Sequence, residues 1–160
     1  MPSALPFLDF VLESALTSLA TSPVEVFTFA FYHDHESGAV SICIDTKESS
    51  DRHVPRWNSW TMKYFAEHIA SGSLSEARLF QANTGRSLSP GDFAAVNVAR
   101  TDIPDDICTD EMFYIEMVRS VIAHQQDILR HSSIPDNVLF CSSGPDNEVD
   151  LVWAPLAIQP

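Results

Sequence analysis

Two alternating apolar runs joined by a short polar turn constrain this chain more than any other feature. Val24–His33 puts Phe27, Phe29 and Phe31 on one face of an extended segment, with Val24, Val26, Ala30 and Tyr32 on the other. Ala39–Asp45 follows, with Val40, Ile42 and Ile44 in alternation, and Asp34–Gly38 between the runs is rich in turn formers. Side chains alternate across a strand with period two, so a run with apolar residues on both faces suggests a central strand covered on both. The expectation is a β-hairpin at the centre of a sheet, with other elements layered over it.

The rest of the chain offers those layers. Residues 3–20 read as an amphipathic helix with Leu5, Leu8, Leu12, Leu16 and Leu19 on one stripe, Ser3 as a cap and Pro6 in the first turn. Residues 46–56 read as a polar loop, and 59–70 as a helix capped by Asn58, with Trp57 and Met62 as a hydrophobic staple. Ser75–Gln81 fits a short helix or a strand equally, Asn83–Asp92 is turn-rich, and Phe93–Ala99 reads as a short strand. A long helix is expected over 110–131, capped by Thr109. Two adjacent apolar lines, Met112–Ile115–Val118–Ile122–Leu129 and Tyr114–Met117–Val121–Ile128, give it a face wide enough to pack across a sheet. Asn137–Ser142 and Glu148–Trp153 then form a second hairpin around Ser143–Asn147. The fold class expected is α/β of the α+β kind: one domain over 1–160, with an antiparallel sheet built from two hairpins and packed with amphipathic helices.

Charge bounds the function. The 160 residues carry a formal net charge of −13. Phosphate contacts need clustered Lys and Arg, so nucleic acid is an unsuitable partner, and so is an anionic membrane surface. No Lys or Arg precedes Lys47 and none follows Arg130, so both ends of the chain are purely acidic. A secretory leader would need basic residues before its apolar stretch, and Met1–Leu19 has none. Cys43, Cys108 and Cys141 are odd in number, widely spaced and form no CxxC pair, which fits a reducing cytoplasm.

Motifs for chemistry are sparse. His33-Asp34-His35-Glu36 is the most metal-like string, but it falls on the expected hairpin turn and supplies two histidines where zinc takes three or four ligands. No metal and no cofactor are expected. GxSxG, GxGxxG and GxxxxGK[ST] are absent, and the cysteines lie in or beside apolar runs, so no catalytic residue is assigned. The densest acidic run is Asp102, Asp105, Asp106, Asp110 and Glu111. It lacks the central glycine and ligand alternation of a calcium loop. Together with Asp146, Glu148 and Asp150 of the last turn, these carboxylates are the candidate surface for a basic protein partner; as a solvated loop and helix start they would serve solubility alone.

Three stretches carry a resemblance: Val26–Tyr32 with Ser41–Asp45, then Phe80-Gln81-Ala82-Asn83-Thr84-Gly85-Arg86, then Glu111-Met112-Phe113-Tyr114 with Met117-Val118-Arg119. In order and character, over roughly two-thirds of the chain, they resemble a family of small bacterial proteins of uncharacterised domain type found beside polymorphic toxins. The resemblance implies a cytoplasmic immunity protein that binds and blocks one cognate toxin domain, such as a basic nuclease. It transfers no functional residue, because the matching stretches are structural. The alternatives are a small acidic adaptor or regulatory domain without catalysis and, further off, a hydrolase whose site assembles only in space.

Overall fold

A computed structural model describes residues 3–53, 67, 70–71, 86–107 and 109–156. The expected helix at 59–70 with its Trp57–Met62 staple, the ambiguous Ser75–Gln81 segment and Cys108 fall largely or wholly outside the described residues.

The elements are helix α1 (Leu5–Thr21), strands β1 (Thr28–Asp34) and β2 (Ala39–Asp45), strand β3 (Ala95–Asp102), helices α2 (Glu111–Ala123) and α3 (Gln125–Leu129), and strands β4 (Leu139–Ser142) and β5 (Leu151–Trp153). The strands form one five-stranded sheet in the order β3-β2-β1-β4-β5. The central hairpin is present as expected, pairing Thr28 with Asp45 through to Asp34 with Ala39. Gly38 closes it in the left-handed region at φ 64°, a conformation open to glycine because it has no Cβ.

The expectation of an antiparallel sheet needs correction. Both hairpin segments do join one sheet, but they meet through a parallel pair, β1 with β4, in register from Thr28 opposite Leu139 to Phe31 opposite Ser142. The cause is the connection. β3 ends at the same end of the sheet as β1, and α2 with α3 carries the chain back to where β1 begins, so β4 starts beside the start of β1 and runs the same way. The strand expected at 24–33 begins only at Thr28 and runs to Asp34, and the short strand expected at 93–99 begins at Ala95 and runs on to Asp102.

Helices cover one face. α1 lies over β2 and β3, and α2 lies over β4 and beside α1. Leu8, Val11, Leu12, Ala15 and Leu19 of α1 meet Phe29, Phe31, Val40, Ile42, Ile44 and Phe140 of the sheet and Phe113, Met117 and Val121 of α2 in one core. On the opposite face, among the described residues, Leu88 and Phe93 pack over Ala30, Cys43 and Cys141. The long helix breaks at His124, whose ring bonds the Ser120 carbonyl at 2.8 Å, the same oxygen that accepts the His124 N–H. Beyond the break the buried Gln125 amide clamps the Leu156 backbone through two hydrogen bonds, at 2.7 and 2.9 Å.

The expected loop at 46–56 is also corrected, because residues 47–53 are helical. Thr46 caps this helix by accepting the Ser49 N–H at 3.1 Å. Its inward positions are Ser49 and Ser50 rather than apolar residues, so no hydrophobic stripe marks it.

Cys43 and Cys141 are free and buried on central strands, and burial raises both thiol pKa values. Mass-resolved labelling by a thiol reagent should therefore leave Cys43 and Cys141 unmodified in the native protein and modify both after unfolding. A native-state reaction at either site would contradict the packing described here.

Candidate functional site

β1, β3 and β4 all end on one side of the sheet, and the two acidic stretches leave from that side. The chain past Asp102 begins beside the hairpin turn, with the Ile103 N–H donating to the Gly38 carbonyl at 2.7 Å. The chain past Ser142 begins beside β1, with the Ser143 N–H donating to the Phe31 carbonyl at 3.1 Å. Three strand steps separate β3 from β4, roughly 14 Å at the usual spacing.

His33, His35 and Tyr114 occupy the interval. His33 is the last inward residue of β1 and only 4% exposed, so it is not the solvated turn residue that the His-Asp-His-Glu string suggested. Its Nδ1 lies 3.0 Å from the Tyr114 hydroxyl. Phe113 packs edge-on to the ring at 5.1 Å, and the His35 ring is 4.3 Å away. His35 in turn stacks on Tyr114 with an interplanar angle of 29°. Burial pushes the His33 imidazole down to about 4, the nearby His35 acts in the same direction, and Asp34 opposes both. The ring is therefore neutral at pH 7. Asp34 is engaged on its other side, where Arg100 bonds its carboxylate at 2.8 Å and holds it down to about 2.

The sequence-derived carboxylates divide between several environments. Asp102, Asp105, Asp106, Asp110, Glu111, Asp146 and Glu148 are exposed, and Asp150 is half-buried. Among the described residues, none of the eight is in an ion pair. Asp110, not Thr109, caps α2, accepting the Phe113 N–H at 3.2 Å, so this carboxylate stabilises the helix start as well as adding charge. Burial raises the Tyr114 pKa, and the charge of Asp146 raises it further. Glu148 turns to the opposite face of the sheet, where its charge adds to burial in raising the Tyr32 pKa. Asp150 lies against Gly144 so closely that a Cβ there would come within 2.6 Å of the Asp150 Cβ. Both acidic stretches therefore leave from one end of the sheet, with Glu148 lining the face that carries Tyr32 and Cys43.

A cavity of about 240 Å³ opens between His33, His35 and the 103–109 loop, and Asp105 contributes to its wall. Sequence reasoning missed Tyr114 and this cavity. The available signal was a polar aromatic inside an apolar helix face, since a buried tyrosine hydroxyl needs a partner.

Chemically, His33 can exchange a hydrogen bond or a proton with a group in the cavity. The nearby Ser143 hydroxyl is committed, accepting the His33 N–H at 2.9 Å and donating to the Glu148 carbonyl at 2.6 Å. Among the described residues no group of three or more His, Cys, Asp or Glu is arranged to hold a metal ion, and no helix is long and apolar enough to cross a membrane. In comparisons with known proteins, no family model, no curated protein and no solved structure matches this chain.

Proposed function

We propose that the chain is a cytoplasmic immunity protein that binds and neutralises a cognate bacterial toxin domain with a basic surface, such as a nuclease. It acts by occupying that surface and carries out no reaction of its own. One observation carries this reading: the strand directions bring two acidic stretches, far apart in sequence, to a single end of the sheet. Enzymes that cleave nucleic acid present basic surfaces because their substrate is anionic. An acidic protein surface competes for the same ground and speeds encounter through long-range attraction.

Affinity needs an anchor as well, since rim charges chiefly govern the association rate. Met112 supplies one. It is 50% exposed in the first turn of α2, next to Glu111. Flexible methionine adapts to irregular apolar partners.

The test is association kinetics with any toxin domain that the neighbouring genes encode, as a function of ionic strength. Reversing Asp105 and Asp106 to Lys should slow association by about tenfold at low salt and flatten its salt dependence, leaving the unfolding midpoint nearly unchanged. Tight binding indifferent to both salt and reversal would remove the acidic-surface mechanism. Failure to bind any neighbouring gene product would remove the immunity reading itself.

A further inference from the structure

We propose that the cavity beside His33 is a socket for one arginine side chain of the partner protein. This inference rests on the reading of a basic partner given above and names the group that the site receives.

Size is the first argument. At about 240 Å³ the cavity is smaller than the roughly 300–1,000 Å³ of pockets that enclose whole small-molecule ligands, and it suits a single side chain. The lining gives the second. Ile103, Pro104 and Ile107 offer apolar surface, Asp105 offers a carboxylate, and among the described residues no Lys or Arg lines the cavity. An aliphatic stem ending in a cation matches that mixture, because Lys and Arg bury their methylenes while the charged head seeks polar partners. An anion would meet Asp105, with Asp102 and Asp106 close by in sequence.

The third argument concerns His33. His33 is 4% exposed, and its Nδ1 is taken by Tyr114. Nε2 has no hydrogen-bond partner among the described residues. Nor does it belong with the sealed, unpartnered side-chain atoms, which are Asp45 Oδ2, Ser142 Oγ and Trp153 Nε1. The cavity lies against the His33 side chain. When the Nδ1–H donates to the Tyr114 oxygen, Nε2 becomes an acceptor for a guanidinium N–H. Arginine is favoured over lysine because its planar head also stacks on aromatic faces, and the His35–Tyr114 stack stands beside the ring.

The experiment needs no partner protein. N-acetyl-arginine amide is titrated into the full chain, with N-acetyl-citrulline amide as the neutral near-isostere and N-acetyl-lysine amide as the alternative cation, while NMR follows the His33 and His35 ring protons and the Ile103 and Ile107 methyls. The arginine derivative should shift these signals saturably, the lysine derivative should bind more weakly, and the citrulline derivative should leave them unmoved. Asp105→Asn, at an exposed position, should weaken arginine binding by about two- to fivefold without unfolding the chain. His33→Phe keeps a ring but removes the acceptor and should abolish the response. Equal responses to arginine and citrulline, a silent cavity, or indifference to Asp105→Asn would overturn the socket. A silent cavity alongside salt-sensitive partner binding would remove the socket and leave the acidic surface standing. An arginine-selective response in a chain that binds no neighbouring gene product would uphold the socket and remove the immunity reading.

Discussion

Arg86→Ala is expected to lower the unfolding free energy by about 3–4 kcal/mol, because it strips charged donors from buried acceptors at the parallel junction of the sheet. The guanidinium is almost wholly buried, at 6% exposure, and no carboxylate pairs with it among the described residues. Its Nη1 donates to the Phe27 carbonyl at 2.7 Å, and its Nη2 donates to the Asn137 carbonyl at 2.8 Å and the Asn137 side chain at 3.1 Å. Phe27 and Asn137 stand just before β1 and β4, so one planar fork ties together the starts of the two strands. The same head group lies 3.8 Å above the centre of the Phe27 ring. Burial lowers its pKa to about 10, which still leaves it charged at pH 7. Arg86→Lys should recover only part of the loss, since one ammonium on a flexible stem cannot span both carbonyls. Urea unfolding with an unchanged m-value would register the effect. A shift below about 1 kcal/mol for the alanine variant would show that this junction holds without its clasp.

The second large effect is acid sensitivity set by His33. Its folded pKa of about 4 lies below the ordinary value of 6.5, so the unfolded chain binds the proton more readily than the folded one. Stability from this residue is complete above about pH 6.5 and is lost as pH falls from there toward 4. Between pH 7 and pH 5 the loss should be about 2 kcal/mol. Most carboxylates titrate below that window, and the difference between wild type and His33→Phe removes contributions common to both. Urea unfolding of the two proteins at each pH should show the wild type losing about 2 kcal/mol more than the variant. Parallel losses in both proteins would mean that His33 is as easily protonated in the fold as outside it.

How far the sequence foretold this molecule depends on which physical signal each element carries. Alternation at Phe29, Phe31, Val40, Ile42 and Ile44 assigned the central hairpin and its inner face, because side-chain direction is fixed by position in a strand. Alternation carries no information about strand direction, so the parallel β1–β4 pair was invisible until the α2–α3 connection was seen to cross the sheet. The helix at 47–53 escaped notice because it buries serines. Ser50 is satisfied by accepting the Ser87 N–H at 2.9 Å, a contact that no local pattern reveals.

The site shows the same division. The acidic run 102–111 and the acidic turn Asp146–Asp150 stood out by composition, and strand direction puts the starts of both stretches at one end of the sheet. Asp146, Glu148 and Asp150 were grouped with the run by proximity in sequence, which says nothing about the face to which each turn residue points; Glu148 lies beside Tyr32 and Cys43. His33 looked like a solvated residue because its neighbours Asp34, His35 and Glu36 are polar. What buries it, the hydroxyl of Tyr114, lies 81 positions further along the chain.

The central claim is that the 102–111 loop and the 143–150 loop present one surface to one partner. Hydrogen exchange measured on the complex with the proposed toxin partner tests it most directly, because each amide reports separately. Binding should slow exchange in both loops together and leave the amides around Phe10, on the exposed side of α1, unchanged. Protection confined to α1, or to one loop with the other exchanging as in the free protein, would contradict it.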